Sequence, residues 1–198
     1  MRLIVGLGNP GPDYAHTPHN LGFAVIEQLA AKARIRRRRR QARAQTWRGR
    51  LDATEVLLAQ PETYMNASGL AVAPLLRARK LTPADLIVIL DDAALPWGAL
   101  RIRERGSAGG HKGLESVIAA VGTNEFLRVR LGIQPPQRAV GDLTEYVLTR
   151  VSPAERRQAE EMVAEAVEAV RVILREGPSR AMARFNRRHS AARANTEV

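Results

Sequence analysis

The sequence predicts an α/β fold, a single domain in which helices flank a twisted mixed β-sheet. Three observations predict it. Short apolar runs of strand length at 2–7, 55–59 and 86–90 alternate with stretches of helical periodicity at 20–33, 66–79 and 114–121. Residues 99–103 and 127–133 instead alternate apolar residues with arginine, which argues against a purely parallel sheet. The 198 residues, 45% of them apolar, are enough for one core, and no repeat or linker divides them.

The elements follow in order. Arg2-Leu-Ile-Val-Gly-Leu7 reads as a buried strand ended by glycine, and a loop with Pro10, Gly11, Pro12 and Pro18 follows. From Asn20 to Ala33, the recurrence of Phe23, Ile26, Leu29, Ala30 and Ala33 predicts an amphipathic helix that runs into an arginine-rich segment. Residues 45–51 are a weakly signalled strand, and Glu55-Val-Leu-Leu-Ala59 a stronger one ended by Gln60-Pro61. A short helix is expected over 66–79, then turn chemistry at Thr82-Pro-Ala-Asp85 before the strand Leu86–Leu90, with Asp91 and Asp92 at its end. The alternating strand 99–103 leads into the glycine-rich loop Gly106–Gly113, a helix marked by Leu114, Val117, Ile118 and Val121, and a second alternating strand from Leu127 to Ile133 that turns Arg128 and Arg130 outward. Ser152-Pro-Ala-Glu155 is a capping box that opens a long helix to about Arg175. Gly177-Pro178 stops that helix, and a short basic one follows to Arg188. The domain is therefore placed at 1–188, with a frayed tail at 189–198.

Composition excludes several classes. There is no cysteine, so disulfide frameworks, thiol catalysis and Cys-based zinc sites are out. No apolar run approaches the roughly 20 residues of a membrane span, and no signal-peptide layout opens the chain. The expected setting is the cytoplasm. The net charge is +11, of which residues 32–50 carry +10 without a single acid. Such a concentrated basic segment points to a polyanion, nucleic acid before anionic membrane, although arginine outnumbers lysine 28 to 3 along the whole chain.

Gly6-Leu-Gly8-Asn-Pro-Gly11 satisfies the glycine spacing of a dinucleotide turn. Pro10 and Pro12 break the chain inside it, and the acid about twenty positions on, Glu27, falls within a predicted helix. No P-loop and no nucleophile elbow occurs. The spacing of His16, His19 and His111 fits no zincin motif, so no metal is expected. What remains is a set of polar residues beyond the strand ends: Asn9, His19, Asn20, Asn66, Asp91, Asp92, His111 and Lys112. In open α/β sheets sites collect there. A histidine beside a carboxylate can act as a general base, and asparagine amides can hold a carbonyl or an oxyanion. The residues alone suggest a hydrolase acting on a nucleic-acid-linked substrate.

Five blocks, VGLGNPGPDYAHTPHNLGF (5–23), QPETYMNASG (60–69), Asp91 with Leu95-Pro-Trp-Gly98, GSAGGHKGLESV (106–117) and FLRVRLGIQPP (126–136), occur in an order that resembles the bacterial peptidyl-tRNA hydrolase family over about residues 1–188. The resemblance implies a single α/β domain, usually monomeric, that hydrolyses the ester between a peptide and the terminal ribose of tRNA, with no metal, organic cofactor or protein partner. By similarity His19 is the base that takes a proton from water. An ordinary histidine titrates near pH 6.5, so it can be neutral at pH 7 and still accept. Asp91 matches the acid that orients that histidine, with Asp92 adjacent. Asn9 matches the residue that tells blocked from free α-amino groups, and Asn66 an amide close to the reacting water. Tyr14 and Tyr64 match residues touching the tRNA end or the peptide, and His111 one lining the peptide groove. Arg103 and Arg130 match basic positions that hold the tRNA 5′-phosphate. Lys112 stands where many members carry asparagine, and adds a charge to the groove. The competing expectation is an RNA-binding protein that kept this fold without the chemistry.

Overall fold

The computed structural model describes residues 1–134 and 143–186. The expected tail at 189–198 lies outside the described residues, as do Pro135 and Pro136. Seven strands form one sheet: β1 (Arg2–Gly6), β2 (Arg38–Gln41), β3 (Ala44–Leu51), β4 (Thr54–Pro61), β5 (Leu86–Pro96), β6 (Leu100–Arg103) and β7 (Leu127–Gln134), in the order β2-β3-β4-β1-β5-β7-β6. The centre, β4-β1-β5-β7, is parallel, while β2, β3 and β6 pair antiparallel at the two edges. The sheet is therefore mixed. Helices α1 (Leu21–Lys32), α5 (Pro153–Glu176) and α6 (Pro178–Phe185) cover one face. Helices α2 (Gly69–Ala78) and α3 (Lys112–Val121) cover the other. The Ser152–Glu155 capping box opens α5, as its sequence requires.

The glycines of the first loop serve helix packing. A Cβ on Gly6 would meet the Gly22 carbonyl at 2.1 Å, and one on Gly22 would meet the Leu7 and Ile89 carbonyls at 2.5 and 2.6 Å. The first turn of α1 thus rests on the ends of β1 and β5, backbone against backbone. Glu27, at the position of a dinucleotide-binding acid, accepts from Gln60 Nε2 at 3.2 Å. This close approach places the turn before α1, which carries His19, directly above the end of β5. Gly22→Ala should destabilise the fold by about 1–3 kcal/mol or more, because the new methyl meets main chain that cannot rotate away. Thermal unfolding checks this, and a Tm within a degree of wild type would show that α1 can ride higher on the sheet.

The structure departs from the sequence expectations in five places. The strand expected at 45–51 is β3, but the arginines before it, to which the sequence assigns no element, form β2 and pair with it as a hairpin. Its two-residue turn, Ala42-Arg43, has φ of 49° and 57°. The usual signal for such a turn is Asn-Gly, which is absent here. Asp91 and Asp92 do not end β5, which continues to Pro96 with a register shift after Asp92. Likewise Gln60-Pro61 lies inside β4. Strand β7 is buried on both faces, and Arg128, expected outward, is 1% exposed. Its guanidinium donates to the carbonyls of Gly106 and Asn124, both at 2.6 Å, and lies 4.6 Å from the Phe126 ring. A short helix that periodicity did not signal, α4 (Leu143–Leu148), leans on β7 through the Tyr146 hydroxyl, which donates to the Ile133 carbonyl at 2.7 Å. Burial, then the nearby Glu155 carboxylate, pushes that phenol up to about 12.

Candidate active site

The parallel strands β4, β1 and β5 end on the same edge of the sheet, and the expected polar residues gather above it. Asn9 follows β1 and is 7% exposed. Its Oδ1 accepts from the Met65 N–H at 2.7 Å, its own N–H donates to Asn20 Oδ1 at 2.8 Å, and Asn20 Nδ2 returns a bond to the Asn9 carbonyl at 2.9 Å. The two ends of the loop between β1 and α1 are thereby tied to each other and to the loop after β4. Asn20, which the family resemblance did not single out, is the clasp. The signal for it was its place just before a helix, a position that also suits an ordinary cap. The tie leaves the Asn9 Nδ2 with no hydrogen bond among the described residues, free to meet a ligand. Asn66 and Tyr64 lie beyond it in the loop after β4, both exposed, Tyr64 to 62%. Tyr14 is half-buried in the turn before His19.

Asp91 is the centre of the arrangement. It is 2% exposed and faces two histidines. His19 Nδ1 lies 3.0 and 2.9 Å from its two carboxylate oxygens, and His111 Nε2 lies 3.0 Å from Oδ1. The two rings are 5.0 Å apart and tilted by 46°. Burial alone would push the Asp91 carboxyl up. The charge and hydrogen bond of His111, then those of His19, outweigh it and hold the group well below the usual carboxylate range. Asp91 is therefore an anion at neutral pH.

The protons on both rings follow from the bonds. His111 caps α3, and its Nδ1 accepts from the Leu114 N–H at 3.2 Å. An accepting Nδ1 places the His111 proton on Nε2, aimed at Asp91. His19 must likewise carry its proton on Nδ1 to meet the carboxylate. The lone pair of His19 is then on Nε2, on the side of the ring away from Asp91. A neutral imidazole held in that tautomer can take a proton from water.

The cleft around this group has a volume of about 220 Å³ and is bounded by His19, Asp91, His111, Lys112 and Arg130, with Leu143 and Val147 of α4 along one wall. Asp92 does not touch His19. It forms an ion pair with Arg130, close but poorly aligned as a hydrogen bond, and its Oδ1 accepts from the Ala94 N–H at 2.9 Å. Arg130 is half-buried, so of the two arginines expected to hold phosphate only Arg103, opposite Arg128 on the edge strand, is exposed and unpaired among the described residues. Lys112 pairs with Glu115 at 3.1 Å and points outward. The resemblance did not mark α4, because its apolar wall carries no polar signature. His19, Asp91 and His111 offer ligand atoms within 4.8 Å of one another, so they are the one group among the described residues able to hold a metal ion. An ion there would have to displace the two N–H protons that now bind Asp91.

Comparisons with known proteins converge on one family. The family model described as peptidyl-tRNA hydrolase matches residues 3–193. The chain is 48% identical to a peptidyl-tRNA hydrolase of Koribacter versatilis, over 100% of this chain and 98% of that one. It is also 48% identical to one of Chloroflexus aurantiacus, over 94% of this chain and 99% of that one. Among solved structures, the peptidyl-tRNA hydrolase of Acinetobacter baumannii superposes with a TM-score of 0.87 at 31% identity, covering 94% of both chains.

Proposed function

The chain belongs to the peptidyl-tRNA hydrolase family and hydrolyses peptidyl-tRNA, and from that premise we propose how its own side chains do so. Water attacks the carbonyl carbon of the ester, and His19 Nε2 takes its proton as the bond forms. Asp91, already ionised, steadies the imidazolium and keeps the ring in place through Nδ1–H. The tetrahedral intermediate carries its negative charge on the former carbonyl oxygen, within reach of the amide groups of Asn66 and Asn9. Its collapse breaks the bond to the ribose oxygen, which takes the proton back from His19. The products are a free peptide acid and a tRNA with a restored terminal hydroxyl.

Substrate contacts complete the proposal. The Asn9 Nδ2, left free by the loop tie, faces the acylated α-amino group and favours blocked over free aminoacyl ends. Tyr14, Tyr64, His111 and Lys112 border the peptide and the tRNA terminus. Arg103 and Arg130 meet the 5′-phosphate, and Arg130 does so by exchanging Asp92 for the phosphate, which a guanidinium fork can bind with two parallel bonds. The enzyme acts as a monomer in the cytoplasm, where its substrate arises. No described helix is long and apolar enough to cross a membrane.

The observation that carries the reading is the pair of hydrogen bonds that leaves Asp91 ionised and His19 Nε2 bare. A hydrolysis assay that compares N-acetyl-aminoacyl-tRNA with free aminoacyl-tRNA tests it. The blocked substrate should be cleaved and the free one spared. Equal rates on both would overturn the assigned role of Asn9.

A further inference from the structure

The β2–β3 hairpin forms a second basic surface, well away from the cleft. One side of it is fastened to the body: Trp47 is buried, and Ile35 packs flat on Gly49, where a Cβ would meet its side chain at 2.6 Å. The other side is open. Arg39 is opposite Thr46 in the ladder, so Arg37, Arg39, Arg48 and Arg50 stand along one face of the ribbon. With Arg79 from the end of α2 they line a groove of about 510 Å³ whose only acid is Glu55. Glu55 pairs with Arg48 at 2.6 Å, and Arg79 donates to Gln41. Arg37 and Arg39 are exposed and have no acidic partner among the described residues.

We propose that this groove binds the phosphodiester backbone of RNA, independently of sequence and separately from the site that reads the ester. Three features fit that partner. Apart from Gly49 every lining residue is polar or charged, so no apolar side chain is there to insert into a lipid surface or a protein core. Guanidinium groups recur along one face at every second residue, a spacing of about 6.5–7 Å, which suits a chain of regularly placed charges. The ribbon is also continuous with the site: the Glu62 N–H donates to the Arg43 carbonyl at 2.7 Å, two residues before Tyr64. Strand β2 lies four positions from β5 in the sheet, about 19 Å across it. Arg103 and Arg130 lie on the opposite side of β5, so a bound polyanion here is distinct from the phosphate they meet. The assignment of an RNA partner rests on the peptidyl-tRNA reading.

The test uses Arg37→Gln/Arg39→Gln, two exposed positions outside the proposed catalytic machinery, with Arg37→Lys/Arg39→Lys as a charge-preserving control. Binding is measured by fluorescence anisotropy with deacylated tRNA and with a short non-substrate RNA duplex. Turnover is measured on full-length N-acetyl-aminoacyl-tRNA and on an N-acetyl-aminoacyl ester of a CCA trinucleotide. In the glutamine variant RNA affinity should fall about tenfold at low salt, and the slope of log affinity against log salt should become shallower by roughly 0.9 for each phosphate that is no longer neutralised. The lysine variant should keep most of the affinity, and both variants should turn over the trinucleotide ester as wild type does. A parallel rise in KM for full-length substrate identifies the occupant as the body of the substrate tRNA. A loss confined to the duplex identifies a second RNA. Unchanged affinity and salt slope for both RNAs would overturn the proposal. So would equal losses in the glutamine and lysine variants, since charge would then not be the cause. If the wild-type protein fails to cleave the trinucleotide ester and the full-length substrate alike, the hydrolase reading falls, whereas the affinity comparison still decides the groove.

Discussion

Turnover of N-acetyl-aminoacyl-tRNA falls by about 10²- to 10⁴-fold in His19→Ala, while affinity for deacylated tRNA stays close to that of wild type. His19 is the one side chain at the site whose lone pair is both available and correctly placed. Its Nδ1 is engaged by Asp91 at 2.9 Å, so its Nε2 is the basic atom. His111 cannot take over, because its Nδ1 accepts from Leu114 and its Nε2–H is directed at Asp91. Nor can Asp91, which is 2% exposed and too weak a base once held far below the usual carboxylate range. RNA binding should persist because the cations proposed to meet phosphate are on β6, β7 and the β2–β3 hairpin, not on the turn that carries His19. Single-turnover rates with saturating enzyme separate the two effects. Near-wild-type turnover would show that water is activated elsewhere, and a parallel loss of RNA affinity would show that the substitution had disturbed the cleft as a whole.

How much of this fold and site is legible in the sequence depends on which physical signal each element carries. The central strands are legible because a buried parallel strand must be apolar along its whole length, as Leu86–Leu90 is. The long helix is legible from its capping box. Strand β3 is weakly legible at 45–51, but β2 and its turn are not, since consecutive arginines have no apolar alternation and Ala42-Arg43 lacks the residues that favour such a turn. The hairpin's stability comes from tertiary contacts of Ile35 and Trp47, which sequence spacing does not reveal. Arg128 misleads for a related reason. An arginine between apolar neighbours normally marks the solvent face of a strand. This one instead turns inward to satisfy the Gly106 and Asn124 carbonyls, holding the start of the glycine-rich loop that leads to His111. At the site, identities are legible but partners are not. Asp91 and Asp92 are indistinguishable in the sequence. In the strand they face opposite sides of the pleat, so that one meets the histidines and the other meets Arg130. Arg103 and Arg130, expected together at the phosphate, likewise differ in their partners: Arg103 is exposed and unpaired among the described residues, and Arg130 holds Asp92.

Asp91→Asn is expected to cost as much activity as the loss of His19, about 10²- to 10⁴-fold in kcat, although it changes the side chain by one atom's identity. Asp91 accepts from two ring N–H groups, with Oδ1 shared between His19 and His111 and Oδ2 serving His19 alone. An asparagine keeps one acceptor and replaces the other oxygen with a donor. His111 is held in its tautomer by the Leu114 N–H, so it retains the surviving acceptor. The new NH2 then faces His19 Nδ1, which must lose its proton to accept a bond. The proton moves to Nε2, and the lone pair that receives the proton from water disappears. Asp91→Ala imposes no such tautomer, since a small side chain and solvent leave His19 free to keep Nδ1–H. The alanine variant should therefore be at least as active as the asparagine variant, an order that a simple loss of negative charge would not produce. Greater activity in Asp91→Asn than in Asp91→Ala would refute the tautomer argument. Stability supplies a separate readout. The folded state favours the Asp91 anion, so its stabilising contribution is present above the unfolded aspartate value of about 3.9 and is lost as pH falls through the lower folded value. The stability difference between wild type and Asp91→Asn should shrink in strong acid as Asp91 takes up its proton, whereas the activity difference is already complete at neutral pH.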